Sequence, residues 1–204
     1  MKRALSVSNV LNAKFNVLGF EGEWLDAIGK PELTGSWLIY GDIKNGKTSF
    51  AMQLAKYLTN FGRVAYNSVE EGLSQSIKEA YERVDMSEVE GRLILLDKEN
   101  LSDIHKRLAK RKSPQFIFID TVQFWELNFQ EYKKLKSAFP NKLFIYISHT
   151  DGRKPDGSTA LRIWRDANVA IRIEGFKAFP IGRYGGGSSY VINEQLANEY
   201  WGSN

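Results

Sequence analysis

Gly41-Asp42-Ile43-Lys44-Asn45-Gly46-Lys47-Thr48 decides how this chain is read. An apolar run, Ser36-Trp37-Leu38-Ile39-Tyr40, leads into it, and Phe50, Leu54, Tyr57, Leu58 and Phe61 follow it at helical spacing before Gly62 stops the helix. The pattern G-x-x-x-x-G-K-T between a strand and a helix is a phosphate-binding loop. Its glycines let the main chain close around oxygen atoms, and consecutive N–H groups at a helix N-terminus turn their positive ends toward a phosphate. Lys47 is predicted to reach the β- and γ-phosphates of a nucleoside triphosphate, and the Thr48 hydroxyl to ligate Mg²⁺. The predicted nucleotide-binding stretch is Gly41, Asp42, Ile43, Lys44, Asn45, Gly46, Lys47, Thr48 and Ser49.

Outward from the loop, short apolar runs alternate with amphipathic segments. Val64 to Ser68, Leu93 to Leu96, Phe116 to Asp120 and Leu143 to Ser148 read as strands. Helices are expected from about Leu73 to Val84, on the face made by Leu101, Ile104 and Leu108, and from Asn128 to Phe139, where Asn128 and Glu131 form a capping-box pattern. From Asn168 the pattern changes: Val169, Ile171 and Ile173 alternate with Ala170, Arg172 and Glu174, as in a half-exposed strand. Ile181 to Ile192, around Gly185-Gly186-Gly187, reads as a terminal hairpin. Continuous apolar strands joined by helices imply an α/β fold of three layers, with a mostly parallel central sheet and antiparallel C-terminal strands. Residues 1–32 read as an N-terminal segment and 33–204 as the core.

Asp120 ends an apolar strand, where a carboxylate can meet a metal at the C-terminal edge of a sheet; the alternative is a turn or N-cap aspartate. Glu70 and Glu71 follow the second strand, where a carboxylate can orient the water that attacks a γ-phosphate; alone, such a pair also reads as a solvated helix start.

The 204 residues fit one domain, with 43% hydrophobic and 25% charged residues, enough apolar material for a core. Without cysteine the chain has neither disulfides nor thiolate metal sites, which suits a reducing cytoplasm. No long apolar run marks a signal peptide or membrane span, so a cytoplasmic location is expected. The 28 basic residues exceed the 24 acidic ones by four, a weak tilt toward polyanionic partners. Lys106, Arg107, Lys110, Arg111 and Lys112 crowd one helix end, and Lys133, Lys134 and Lys136 another; by default these are solvated faces.

Across roughly residues 33 to 192 the chain resembles the RecA-like ATPases, the group of RecA, RadA, KaiC and the DnaB-type helicases. The resemblance rests on the phosphate loop and on Tyr66-Asn67-Ser68-Val69-Glu70-Glu71-Gly72 with Gln75, Ile77 and Arg83. It extends to Ile119-Asp120-Thr121, to Ile147-Ser148-His149, and to the run through Asp151-Gly152, Gly157, Leu161 and Asp166 to Ile173-Glu174-Gly175. It implies ATP and Mg²⁺ as cofactors, Glu70 as the residue that activates water, Thr48 and Asp120 as metal ligands, and His149 as a γ-phosphate sensor. By itself, His149 also reads as a structural histidine. The loop Thr150 to Ser158, with Arg153 and Lys154, is implied to contact DNA. Gly182-Arg183-Tyr184-Gly185 is similar to the segment whose cations reach a neighbouring subunit's triphosphate, although Ile181 stands at its lysine position, leaving Arg183 alone. Arg83 is implied to stack on adenine. Phe124 and Trp125 are candidates for base stacking, with core packing the alternative.

The expected function is Mg²⁺-dependent ATP hydrolysis, acting on single-stranded DNA in recombination, annealing or replication, in the style of stand-alone phage cores. A homo-oligomer, ring or filament, is expected, with Phe15 and Leu18 as tethering side chains. The competing expectation is a KaiC-like regulatory ATPase with protein partners and no DNA. A small-molecule kinase and a module that holds ATP without turnover are further alternatives.

Overall fold

The computed structural model describes residues 4–202. Its strands are β1 (Gly35–Gly41), β2 (Val64–Ser68), β3 (Leu93–Asp97), β4 (Phe116–Asp120), β5 (Leu143–Ser148), β6 (Thr150–Asp151), β7 (Lys154–Pro155), β8 (Val169–Glu174), β9 (Lys177–Gly182) and β10 (Tyr190–Val191). The helices are α1 (Val7–Leu11), α2 (Gly22–Ile28), α3 (Lys47–Leu58), α4 (Gln75–Arg83), α5 (Leu101–Leu108), α6 (Phe129–Ala138), α7 (Ser158–Asp166) and α8 (Glu194–Trp201).

Eight strands form one sheet in the order β10-β9-β8-β1-β5-β4-β2-β3. From β8 to β3 all neighbours are parallel, while β9 and β10 are added antiparallel. The apolar runs of β1, β4 and β5 have no polar face because these central strands are buried on both sides. In β1, Trp37 and Ile39 pack into one core and Leu38 and Tyr40 into the other. Phe116 and Phe118 of β4 likewise oppose Ile117 and Ile119. Helices α2, α3 and α4 contribute to the first core and α5, α6 and α7 to the second, which makes the three layers. This is the expected RecA-like α/β architecture.

Several boundaries differ from the sequence reading. The strand after Asn168 is parallel to β1, so the antiparallel extension starts only at β9. Ala170 is buried beside Ile171, so β8 is covered on most of both faces. The triple-glycine stretch does join two antiparallel strands, but Tyr190 and Val191 pair with Ala178 and Lys177 rather than with Ile181. The core also begins before residue 33: Leu18, Phe20, Ala27 and Ile28 are buried against Trp37 and Phe50. Leu18 is fully buried in its own chain and therefore unavailable as a tether, whereas Phe15 is 67% exposed. The Asn128–Glu131 capping box is present at the start of α6.

Topology places the chemistry. Strand β5 lies between β1 and β4, so the ends of β1, β5, β4 and β2 stand side by side, with Tyr40 level with Ser148, Asp120 with Ile147, and Ser68 with Asp120. Residues that follow these strands converge on one carboxyl-end rim, the usual place for a ligand on an open parallel sheet.

Candidate nucleotide site

At that rim a cavity of about 360 Å³ is lined by Ile43, Lys44, Gly46, Lys47, Thr48, Ser49, Ser68, Glu70, Glu71, Asp120, Thr121, His149 and Phe176. The phosphate loop is curled rather than extended. Lys44 and Gly46 adopt left-handed conformations, φ 62° and 98°. Gly46 occupies the cap position of α3, which has no side-chain cap, so the first N–H groups of α3 keep their donors for a ligand. A side chain at position 41 would run into the carbonyl oxygen of Ile173, and one at 46 would meet the Phe176 ring at 3.0 Å. Position 41 is tight because β8 runs beside it, and position 46 because the turn between β8 and β9 closes on the loop. That turn is tied to Asn45, whose Oδ1 accepts from Gly175 N at 2.8 Å and whose carbonyl accepts from Phe176 N at 3.2 Å. Helix α8 backs the turn, with Trp201 Nε1 donating to the Gly175 carbonyl at 3.0 Å.

Lys47 Nζ donates to the Asp42 carbonyl at 2.8 Å. Burial lowers its pKa, while Asp120, Asp42 and Glu70 pull it upward. The ammonium thus already sits inside the loop whose amides would hold a phosphate.

Asp120 Oδ2 accepts a hydrogen bond from Tyr66 at 2.6 Å, deep in the rim. Burial pushes its carboxyl from 3.8 up to about 6; Tyr66 and Lys47 pull it down, and Glu70 and Glu71 push it further up. Among the described residues no group of three or more His, Cys, Asp or Glu could hold a metal alone. One carboxylate and the Thr48 hydroxyl on the same cavity fit Mg²⁺, which keeps water and takes its other ligands from phosphates. They do not fit a metal caged by protein.

The pKa shift has a testable cost. A carboxyl that holds its proton more tightly when folded destabilises the protein as pH rises from 3.8 through about 6. The difference between 3.8 and about 6 corresponds to roughly 3 kcal/mol. Asp120→Asn is therefore expected to raise the melting midpoint of the ligand-free protein at neutral pH, with the gain shrinking toward pH 4. Thermal melts at both pH values check this; an unchanged or lower midpoint at neutral pH contradicts it.

Glu70 is placed by main chain: Val69 N and Glu70 N both donate to the Asp120 carbonyl, at 2.7 and 3.1 Å. Its Oε2 lies 3.4 Å from His149 Nε2 and 3.4 Å from Thr121 Oγ1. Glu71 turns instead to the Ser74 and Ser76 hydroxyls at the start of α4. The two glutamates thus have different surroundings, with only Glu70 aimed at His149. His149 is held by Gln123 and by Asp156 N, which donates to its carbonyl at 2.9 Å; its buried Nδ1 has no partner among the described residues.

The structure brings Gly41 through Ser49, Glu70, Asp120 and His149 to one rim. It places two other predicted residues elsewhere. Arg83 ends α4 and lines a separate cavity with Trp24, Gln53, Lys56 and Tyr57, beside the C-terminal half of α3. Arg183 follows β9, whose Gly182 is level with Val169, so this exposed arginine stands at the opposite end of the sheet from its own phosphate loop. Phe176, Ser68 and Thr121 line the cavity without having been singled out from sequence. Phe176 follows a glycine in a turn between two strands, a pattern that carries no ligand signal.

Next to the site, residues 150–155 form a small antiparallel pair, β6 with β7, rather than an unstructured loop. It presents exposed Arg153 and Lys154. Phe124 is 54% exposed and 6.4 Å from the His149 ring, while Trp125 packs into the second core and donates to the Glu99 carbonyl at 3.0 Å. The two aromatics therefore separate, one outward and one inward.

No family model matches the sequence, and no curated protein does. Among solved structures that match is the flagellar accessory protein FlaH from Methanocaldococcus jannaschii, with a TM-score of 0.61 and 16% identity over 88% of this chain and 96% of that one. At that identity the likeness is one of fold. Among the described residues no helix is long and apolar enough to cross a membrane.

Proposed function

We propose that this chain is a Mg²⁺-dependent ATPase of the RecA-like class that works on single-stranded DNA as a homo-oligomer. The observation that carries the catalytic part is one cavity holding the uncapped α3 N-terminus, Lys47, Thr48, Asp120, Glu70 and His149. Bound Mg²⁺ supplies charge stabilisation to the phosphates of ATP. Main-chain amides of 41–48 hold the β- and γ-phosphates, and Lys47 leaves the Asp42 carbonyl to meet the charge that grows in the transition state. Glu70 accepts the proton of the attacking water, and with its own proton on Nε2 the His149 ring fixes the Glu70 carboxylate.

The DNA part is supported by the contiguity of Glu70, His149 and the β6–β7 pair: Gln123 contacts Ser148 Oγ at 2.8 Å, the Asp156 carbonyl at 2.9 Å and His149 N at 3.4 Å. A strand lying on Arg153, Lys154 and Phe124 would press on the residues that orient water. Recombination, annealing or replication is the proposed setting for such an activity. ATP turnover titrated with single-stranded DNA at low and high salt tests this. Stimulation that fades with salt is expected, together with its loss in an Arg153→Ala, Lys154→Ala variant. Turnover indifferent to any DNA would sink the DNA reading and favour a regulatory ATPase with protein partners.

Self-association is supported by the N-terminal arm. Helix α1 has no buried residue, and Leu5, Val7, Leu11 and Phe15 are 71, 77, 79 and 67% exposed, apolar side chains that the described residues leave uncovered. A second copy covering it would also allow Arg183, remote from its own phosphate loop, to serve a neighbour's. Leu11→Glu with Phe15→Glu is expected to shift the protein to monomer in light scattering with ATP; an unchanged mass contradicts the role of the arm.

A further inference from the structure

The end of the sheet away from the phosphate loop carries a second charged cavity. Arg63 immediately precedes β2 and Arg92 immediately precedes β3, while Arg107, Lys110, Arg111 and Lys112 come from the last turn of α5 and the loop after it. All six line one cavity of about 200 Å³, and no carboxylate lines it. In sequence only 106–112 looks like a charge run. Arg63 and Arg92 join it because β2, β3 and β4 are parallel neighbours whose N-terminal ends share one edge.

The wall is fixed by main chain. Arg63 Nη1 donates to the Lys112 carbonyl at 3.2 Å, and Arg92 Nη2 to the Glu88 carbonyl at 2.9 Å. Lys142 Nζ reaches the Ser113 hydroxyl at 3.0 Å and adds a cation at the rim. Arg107 is neutralised by Glu99, with Nε 2.9 Å from a carboxylate oxygen. Among the described residues, Arg63, Arg92, Lys110, Arg111 and Lys112 have no acidic partner at ion-pair distance. Five unpaired cations around one small concavity repel one another, so the arrangement favours a ligand carrying several negative charges at once.

We propose that this basal cavity binds the phosphate backbone of a nucleic acid strand without reading its bases. Cations spread over three segments match a chain of phosphates rather than a single phosphate. No aromatic residue lines the cavity, so bases have nothing to stack on. None of the exposed large apolar side chains is among the lining residues, which argues against insertion into a lipid surface. The cavity lies about 15–20 Å from the nucleotide rim, the length of a five-residue strand, so it does not rest on the ATPase reading.

The test is fluorescence anisotropy of labelled single-stranded and duplex oligonucleotides across a salt series. The wild type is compared with the variant Lys110→Glu, Arg111→Glu, Lys112→Glu and with a charge-reversal control on the α6 surface, Lys133→Glu, Lys134→Glu. Each phosphate contact contributes roughly 0.7 to 0.9 log unit of affinity per log unit of salt. The basal variant is expected to lose at least about tenfold in affinity at low salt and about two units of slope. The control should bind nearly as wild type, and nucleotide binding should be unchanged in both. Arg153→Ala with Lys154→Ala, which addresses the ATPase-linked surface, should leave the basal contribution to the slope intact. Equal losses in basal variant and control, an unchanged slope in a basal variant that melts as wild type, or no oligonucleotide binding at all would each overturn the proposal. Wild-type binding to phosphatidylserine vesicles without oligonucleotide binding would reassign the cavity to a membrane surface and overturn it as well.

Discussion

Replacing Lys47 by alanine is expected to lower ATP turnover by at least about a hundredfold, the loss typical when one preorganised donor to a developing negative charge is removed. The ammonium already sits inside the curled loop, 2.8 Å from the Asp42 carbonyl, so it needs only a small swing to reach a γ-phosphate. Its removal also leaves Asp120, Glu70 and Glu71 around the cavity without their lysine counter-charge, so nucleotide affinity should fall along with turnover. Phosphate release and calorimetric titration of ATP report the two losses separately. Normal turnover in this variant would mean that any hydrolysis occurs elsewhere.

Glu70→Gln is expected to separate chemistry from binding. The amide keeps the shape of the side chain and its place beside Thr121 and His149, but it cannot take a proton. General-base contributions of about 10² to 10⁴ predict a fall in kcat of at least a hundredfold with KM nearly unchanged. Glu71→Gln is the matched control. Its carboxylate is engaged with Ser74 and Ser76, so turnover should stay within a few-fold of wild type, with some loosening at the start of α4. If Glu71→Gln is the slow variant and Glu70→Gln the fast one, the assignment of the base is reversed. Equal, unimpaired rates in both would point to ATP binding without this mode of turnover.

The layered architecture is legible in the sequence because parallel strands buried on both faces must be apolar at every position. Trp37 to Tyr40 and Phe116 to Ile119 therefore announce themselves without any partner being known. The phosphate loop is legible because its chemistry is local: glycines, a lysine and a threonine within eight residues that follow a strand and open a helix. What depends on register is not legible. The reach of Glu70 to His149 depends on β4 lying between β2 and β5, an ordering that no local pattern encodes. Phe176 enters the site only through the β8–β9 turn, and Arg63 meets Lys112 only across a shared sheet edge.

Helix boundaries also shift for local reasons, as where Ser74 accepts from Ile77 N and starts α4 two residues after Leu73. The sequence reading starts the core at residue 33. Yet Phe20 and Trp24 pack on Tyr57 at ring separations of 5.1 Å each, because an apolar side chain every few residues is enough to cover one edge of a core. Arg183 illustrates a different limit. Its local sequence resembles a segment that reaches a neighbour's phosphates, but the antiparallel β9 carries it to the far end of its own sheet, away from its own phosphate loop.

The most direct measurement of the central claim is calorimetric titration of the wild-type protein with a non-hydrolysable ATP analogue, with Mg²⁺ and again with EDTA. Saturable binding at one site per chain is expected, weakened markedly by EDTA and by Asp120→Asn, since the carboxylate and Thr48 would hold the metal together with the phosphates. No binding in either condition, or binding indifferent to Mg²⁺, Lys47 and Asp120, would contradict the assignment of the rim cavity to a triphosphate.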